Sequence, residues 1–200
     1  MVFSWLVKSK VPNIKGRGLF LRGLKASDYF EWEKVRSKSK GFLTPFEPRW
    51  RDDELSKNAF LKRVRHNNLQ ASKKVEFSFT IWQNDGGSQK LVGGVTISNI
   101  RYYNGHANIG YWMSVDNTNK GIMSNAVALV LSFAFDELKL VRMHAATLPN
   151  NIPSRKVLTN NGFWEEGYAV DFLSIDGKFC NHILYALTLR SYRNVGNSKI

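Results

Sequence analysis

The stretch Asn119-Lys120-Gly121-Ile122-Met123-Ser124 decides how this chain is read. Upstream lies a strand-like run, Ala107-Asn108-Ile109-Gly110-Tyr111-Trp112-Met113-Ser114-Val115, and downstream a strongly apolar, helix-like run from Ile122 to Leu138. A glycine-containing turn between a strand and a helix aims several unpaired backbone N–H groups at one point, and the helix macrodipole adds positive potential there. Such a turn suits a phosphate or pyrophosphate. It is not a P-loop, because no Gly-Lys-Ser/Thr follows a first glycine at the required spacing. Nor is it the Gly-x-Gly-x-x-Gly dinucleotide turn. Asn119 stands where a second glycine would serve, and Asn tolerates left-handed φ better than other non-glycine residues. A lone glycine after a strand also makes a plain turn, so the reading depends on its company.

Two hundred residues with 43% apolar content suit one domain with a buried core. No run reaches the roughly 18 apolar residues of a membrane span. The apolar start, Met1 to Val7, lacks the basic region and cleavage site of a signal peptide. One cysteine, Cys180, excludes an internal disulfide framework, and the four histidines show no ligand spacing. These features point to a reducing, cytoplasmic setting without a structural metal. Lys and Arg number 29 against 16 acidic residues, a net charge of +13. So basic a surface attracts polyanions: RNA, a ribonucleoprotein particle or an anionic cofactor. A basic surface kept for solubility is the plain alternative, and no RNP-type or Gly-x-x-Gly motif is present.

Residues 1–16 read as a basic arm or short strand, 17–192 as a single domain and 193–200 as a flexible tail. Leu19 to Leu24 reads as the first strand. A helix capped by Ser27 or Asp28 follows. Gly41 to Trp50, with two prolines, reads as an ordered loop. A second helix spans Asp53 to Leu69, with Leu55, Ala59, Phe60 and Val64 on one face. Val75–Gln83 and Leu91–Ile100 form a hairpin across Asn84-Asp85-Gly86-Gly87, and a turn at 102–105 leads into strand 106–115. After the phosphate-site turn and its helix come strand 141–147, a short helix from Ser154 to Asn160 closed by Gly162, and a hairpin of 164–174 with 178–189. The fold class is therefore α/β, a mixed sheet of about seven strands with helices on both faces.

These residues resemble the GNAT superfamily of acetyl-CoA-dependent N-acetyltransferases, and within it the ribosomal-protein-alanine branch. The resemblance covers about 17–190. Ile109-Gly110-Tyr111-Trp112-Met113 is similar to that branch's fourth strand, and Asn119 to Ser124 followed by Ala126 to its pyrophosphate loop. Pro149-Asn150-Asn151-Ile152-Pro153-Ser154, with Val157-Leu158 and Asn161-Gly162-Phe163, is similar to its second cofactor motif, and Glu166-Gly167-Tyr168 follows. The resemblance implies that the family's fourth and fifth strands splay apart to admit the pantetheine arm of acetyl-CoA. Backbone groups near Trp112, Met113 and Ser114 would pair with the arm and polarise the thioester carbonyl. Asn119, Lys120, Gly121, Ile122, Met123 and Ser124 would hold the pyrophosphate, and Asn151 would contact the arm. Ser154 would protonate the leaving thiolate, with a helix N-cap as its alternative role. The amine would attack directly, without an acyl-enzyme on Cys180. Phe46, Trp50 and Tyr111 would border the acceptor site.

Four positions depart from the family pattern. Thr118 and Asn119 replace Gln or Arg and Gly, and Lys120 offers a point charge instead. Asn125 replaces an acidic residue. Asn108 occupies a position where many relatives carry Glu as base, and Asn cannot take a proton. An α-amine, with a pKa of about 7.7–8.0, is already roughly a tenth neutral near pH 7, whereas a lysine amine at about 10.4 is almost wholly charged. Lacking a strong base at 108 therefore tilts the acceptor toward a protein N-terminus. Glu47, Glu76 and Glu165 are substitute carboxylates, Glu47 reading first as a surface charge. Other acceptors in view are a polyamine, an amino acid or an aminoglycoside. A non-catalytic ribosome- or RNA-binding module is the alternative from another class. The expected partners are acetyl-CoA, a protein N-terminus or small amine and the ribosome, without a membrane, for a monomer or homodimer.

Overall fold

Apolar residues alternate with polar ones through the middle of the chain, and that period-two pattern builds a sheet with two differently covered faces. The computed structural model describes residues 9–197. Its strands are β1 (Ile14–Gly16), β2 (Leu19–Arg22), β3 (Phe77–Asp85), β4 (Ser88–Arg101), β5 (His106–Met113), β6 (Arg142–Thr147), β7 (Trp164–Ile175) and β8 (Lys178–Thr188). They form one mixed sheet in the order β1-β2-β3-β4-β5-β6-β8-β7, antiparallel except for β5 and β6. The strand beyond the expected seven is β1. It pairs with β2 through Ile14↔Leu21, so the end of the expected basic arm is the first half of a hairpin. Residues 1–8 of that arm, and 198–200 of the expected tail, lie outside the described residues.

The helices are α1 (Tyr29–Lys38), α2 (Lys40–Leu43), α3 (Lys57–Ser72), α4 (Ile122–Ser132), α5 (Ile152–Asn160) and α6 (Leu189–Asn197). On one face α4 presents Ala126, Val127, Val130 and Leu131, all essentially sealed, to Leu21, Phe79, Ile81, Val95, Ile97 and Met143. On the other face Trp32 of α1 and Phe60 and Val64 of α3 pack with Trp82 and Leu91. Each buried side chain of this size contributes about 1.5–3 kcal/mol relative to exposure, which is why these two helices stay docked although neither is strongly amphipathic.

Several expectations change. The Gly41–Trp50 loop begins with helical turns, α2 and then a 3₁₀ turn at Thr44–Phe46, and only its end is irregular. Pro45 stands in the first turn, where a missing N–H costs nothing. The second helix starts at Lys57, with Ser56 as its cap. The long helix from Ile122 widens at Phe133–Glu137, where Leu138 N–H reaches back to the Phe133 carbonyl. At the expected tail, α6 carries the chain as helix to Asn197.

One topological detail positions the site. β5 and β6 pair only through His106↔Arg142, Ala107↔Met143 and Asn108↔His144. Beyond that point β5 stays with β4 and β6 stays with β8, out to Gly93↔Met113 and Thr147↔Ile183. The sheet forks in its middle.

Candidate active site

The fork exposes backbone. Ser114 N–H donates to the Val92 carbonyl at 2.9 Å, toward β4. Alternation along an antiparallel pair then turns Trp112 the same way and Tyr111 and Met113 the opposite way, into the fork. Of the expected arm-pairing residues, Met113 presents its amide there. The Ser114 amide is spent on β4, and its Oγ faces Asn117. Trp112 contributes side chain rather than amide.

The fork opens into a cleft of about 530 Å³ lined by β5, the 117–124 turn, β6, the first turns of α5 and, at its far end, Phe42, Phe46 and Glu47. Asn119 and Gly121 are both left-handed, with φ of 58° and 71°. Asn119 thus does what a glycine would. Gly121 is the N-cap of α4 and caps nothing with a side chain, so the N–H groups of Ile122, Met123 and Ser124 point outward with the positive end of the helix dipole. Lys120 lies beside them, its Nζ 2.8 Å from the Asp116 carbonyl.

Across the cleft, α5 begins at Ile152 rather than Ser154. Asn151 is its cap, Oδ1 accepting from Ser154 N–H at 3.2 Å. Its Oδ1 is thereby committed to the helix, Asn151 itself still lining the cleft, and Ser154 is released from the capping role. The Ser154 hydroxyl instead lies 3.0 Å from the Tyr111 hydroxyl, which also lies 3.0 Å from the Ser154 carbonyl. Burial pushes the Tyr111 phenol well above its usual pKa, the Ser154 contact pulling weakly the other way. Tyr111 therefore stays protonated and donates to one Ser154 oxygen. Tyr111, expected at the acceptor site, belongs with Ser154 on the α4 side of the sheet.

Opposite faces of the fork differ in chemistry. Asn108, Gly110 and Trp112 alternate away from α4, as do His144 and Ala146 on β6. A side chain at Gly110 would meet nothing within 4 Å, so an open trough runs above it. At one end stands a closed cluster. The Arg36 guanidinium lies between the indoles of Trp50 and Trp112, 4.4 and 4.8 Å from their centroids. It binds both Glu47 carboxylate oxygens at 2.8 and 2.7 Å, and Trp50 Nε1 donates to the same carboxylate at 2.7 Å. Trp50 therefore packs behind the cleft wall, whereas Phe46 lines it. Glu47 is no surface charge: its oxygens are occupied. At the other end Asn108 is exposed beside His144 and stands outside the cleft lining. His144 is held below the usual histidine pKa by burial, then by Arg142 and His106. Among the described residues no group of three or more His, Cys, Asp or Glu side chains is placed to hold a metal.

The model of the acetyltransferase (GNAT) domain matches residues 18–164. The chain belongs to the GNAT acetyltransferase family. This acetyltransferase is 32% identical over 175 residues to the probable N-acetyltransferase YjcK of Bacillus subtilis, covering 87% of the chain and 96% of that protein. It is 27% identical to the [ribosomal protein uS5]-alanine N-acetyltransferase of Escherichia coli over 184 residues, 90% and 94% of the two chains. Mycobacterium smegmatis RimJ in complex with CoA-disulfide superposes with a TM-score of 0.82 at 28% identity, covering 94% of each chain. Acetyl-CoA is accordingly the acetyl donor, and the outward amides of 122–124 with the forked β5 backbone suit its pyrophosphate and arm.

Sequence reading missed two participants in this acetyltransferase site. Arg36 looked like one cation among many on a helix, and only the fold shows its two indoles. His182, on β8, is buried and lines the cleft. Its place follows from the register Leu184↔Ala146, which no local pattern announces.

Proposed function

We propose that this enzyme acetylates the N-terminal α-amine of a protein, a ribosomal protein being the model substrate. The carrying observation is the state of Glu47. It is the one carboxylate among the residues lining the cleft, and Arg36 and Trp50 engage both its oxygens. A polyamine or aminoglycoside would find no unpaired negative charge there, whereas a peptide terminus needs a trough open along its length, which Gly110 leaves. The uS5-alanine relative and Asn108 in place of a carboxylate support the same reading.

Acetyl-CoA supplies an activated acetyl thioester. Tyr111 and Met113 amides turned into the fork serve its binding, Lys120 and the first amides of α4 face its phosphates, and Ser154 donates a proton to the departing sulfur from the α4 side. The amine arrives from the opposite side, over Gly110. The outer face of α3 carries Lys57, Lys62 and Arg65 without any acidic residue, a surface suited to a ribosome in the cytoplasm. Peptides with free Ala, Ser or Met termini, blocked peptides with an internal lysine, and spermidine should be incubated with acetyl-CoA and thiol release followed. Free-terminus peptides should react fastest; faster turnover of spermidine or of the blocked peptide would overturn the assignment.

A further inference from the structure

Amine attack on a thioester must shed a proton from nitrogen, and position 108 holds an amide that cannot accept it. The titratable side chains lining the cleft are Glu47, Tyr111, Lys120, Lys156 and His182. Glu47 is held as an anion against Arg36, which with Trp50 engages both its oxygens. Tyr111 is buried in its protonated form. The two lysines are cations beside the phosphate turn and on α5. His182 remains.

We infer that His182 is the general base that receives the proton of the attacking amine. Register places it on the acceptor side, because Ala186 pairs with His144 and Leu184 with Ala146, so alternation puts His182 on the face of Gly110 and Ala146. Its tautomer is fixed. Nδ1 lies 2.8 Å from the Cys180 carbonyl, which can only accept, so Nδ1 carries the hydrogen of the neutral ring and Nε2 carries the lone pair. Nε2 makes no hydrogen bond within the described residues. Yet among them the one sealed, partnerless side-chain nitrogen or oxygen is Arg36 Nε. Nε2 is therefore not sealed, and His182 is one of the residues that line the cleft. The Phe172 ring, 5.8 Å away by centroid, holds the imidazole from the β7 side. The surrounding elements carry, among their charged and titratable groups, Glu47 with Arg36, Lys156 on α5, Arg142 and His144 on β6, Glu165, Glu166, Tyr168 and Asp171 on β7, Tyr185 on β8 and, on the opposite face of the sheet, Tyr111 on β5. In the step, the nitrogen–carbonyl-carbon bond forms, the carbon–sulfur bond breaks with its electron pair on sulfur, and the ammonium proton passes to Nε2. The sulfur takes its proton from Ser154, which recovers one from water.

The inference rests on amine acetylation in this cleft, not on which amine is used. His182→Gln keeps a donor for the Cys180 carbonyl but removes the base. We expect kcat about 100-fold lower, unchanged coenzyme A affinity by calorimetry, and loss of the acid limb of the kcat–pH profile at saturating acceptor. Retention of kcat within about threefold with the limb intact would refute it. If the variant loses coenzyme A binding, nitrogen NMR of the wild-type protein decides: a neutral His182 ring protonated on Nε2 overturns the inference, one protonated on Nδ1 upholds it. If the wild-type enzyme turns over only small amines, the α-amine reading fails while the His182 comparison proceeds on those amines.

Discussion

Replacing Glu47 by Gln tests the Arg36–Glu47–Trp50 cluster at one end of the cleft. The Arg36 and Glu47 side chains retain only 8% and 20% of their exposure. Glu47→Gln keeps the shape and one acceptor but leaves the guanidinium charged between two indoles without a counter-ion. Removing one partner of a buried pair costs about 3–5 kcal/mol, and the residual exposure of Glu47 argues for the lower end, about 3 kcal/mol. For a chain of this size each kcal/mol moves Tm by about 2–4 °C, so thermal unfolding should fall by about 6–12 °C. Arg36→Met combined with Glu47→Gln should recover much of that loss, because a buried ion pair is worth little more than a neutral replacement. Scanning calorimetry of the wild type, both single variants and the double variant gives the coupling directly. A Glu47→Gln shift under 2 °C, or strictly additive single variants, would refute the claim that the pair is buried and mutually dependent.

Gly121→Ala meets nothing within 4 Å but places a Cβ at φ 71°, a left-handed conformation costing about 1–2 kcal/mol for other residues. Relaxation of the turn should weaken coenzyme A binding about tenfold, measured by calorimetry, and a change under twofold would show that the turn tolerates a side chain. Gly110→Val should leave Tm unchanged and raise the acceptor KM about tenfold, that is by about 1.4 kcal/mol; an unaltered KM would place the acceptor elsewhere. Burial raises the Tyr111 pKa. Below pH 10 both folded and unfolded chains hold that proton, and above it the unfolded chain alone releases it, so stability falls as pH rises past about 10. Tyr111→Phe should lessen that alkaline fall in urea titrations, and an identical fall in both proteins would contradict the burial.

Most of the architecture was legible because it is local chemistry. Alternation in 77–101, the Asn84–Gly87 turn and the apolar run from Ile122 each specify one element. Gly162 takes φ 82° and, with Phe163, returns N–H groups to Thr159 and Leu158, the helix end its sequence position implied. The Asn119 turn was readable for the same reason. What escaped depends on distant partners. Prolines at 45 and 48 suggested a loop, but a helix's first turn accepts proline. Ser154 looked like the cap because serine caps well, yet Asn151, three residues earlier, holds the position. The pairing of Tyr111 with Ser154 spans 43 residues, and Arg36 finds its indoles at Trp50 and Trp112 only once β5 lies beside α1.

Three residue pairs join the β1–β5 half of the sheet to the β6–β8 half. A ligand that pairs with the backbone beyond them acts as a borrowed strand, finishing a seam the polypeptide leaves open. Its binding energy is then also cohesion: at a hundredfold excess over Kd, occupancy adds about 2.7 kcal/mol to folding. An acetyl donor paired there as proposed would join the scaffold that holds it, and the enzyme would then be most robust when supplied for turnover.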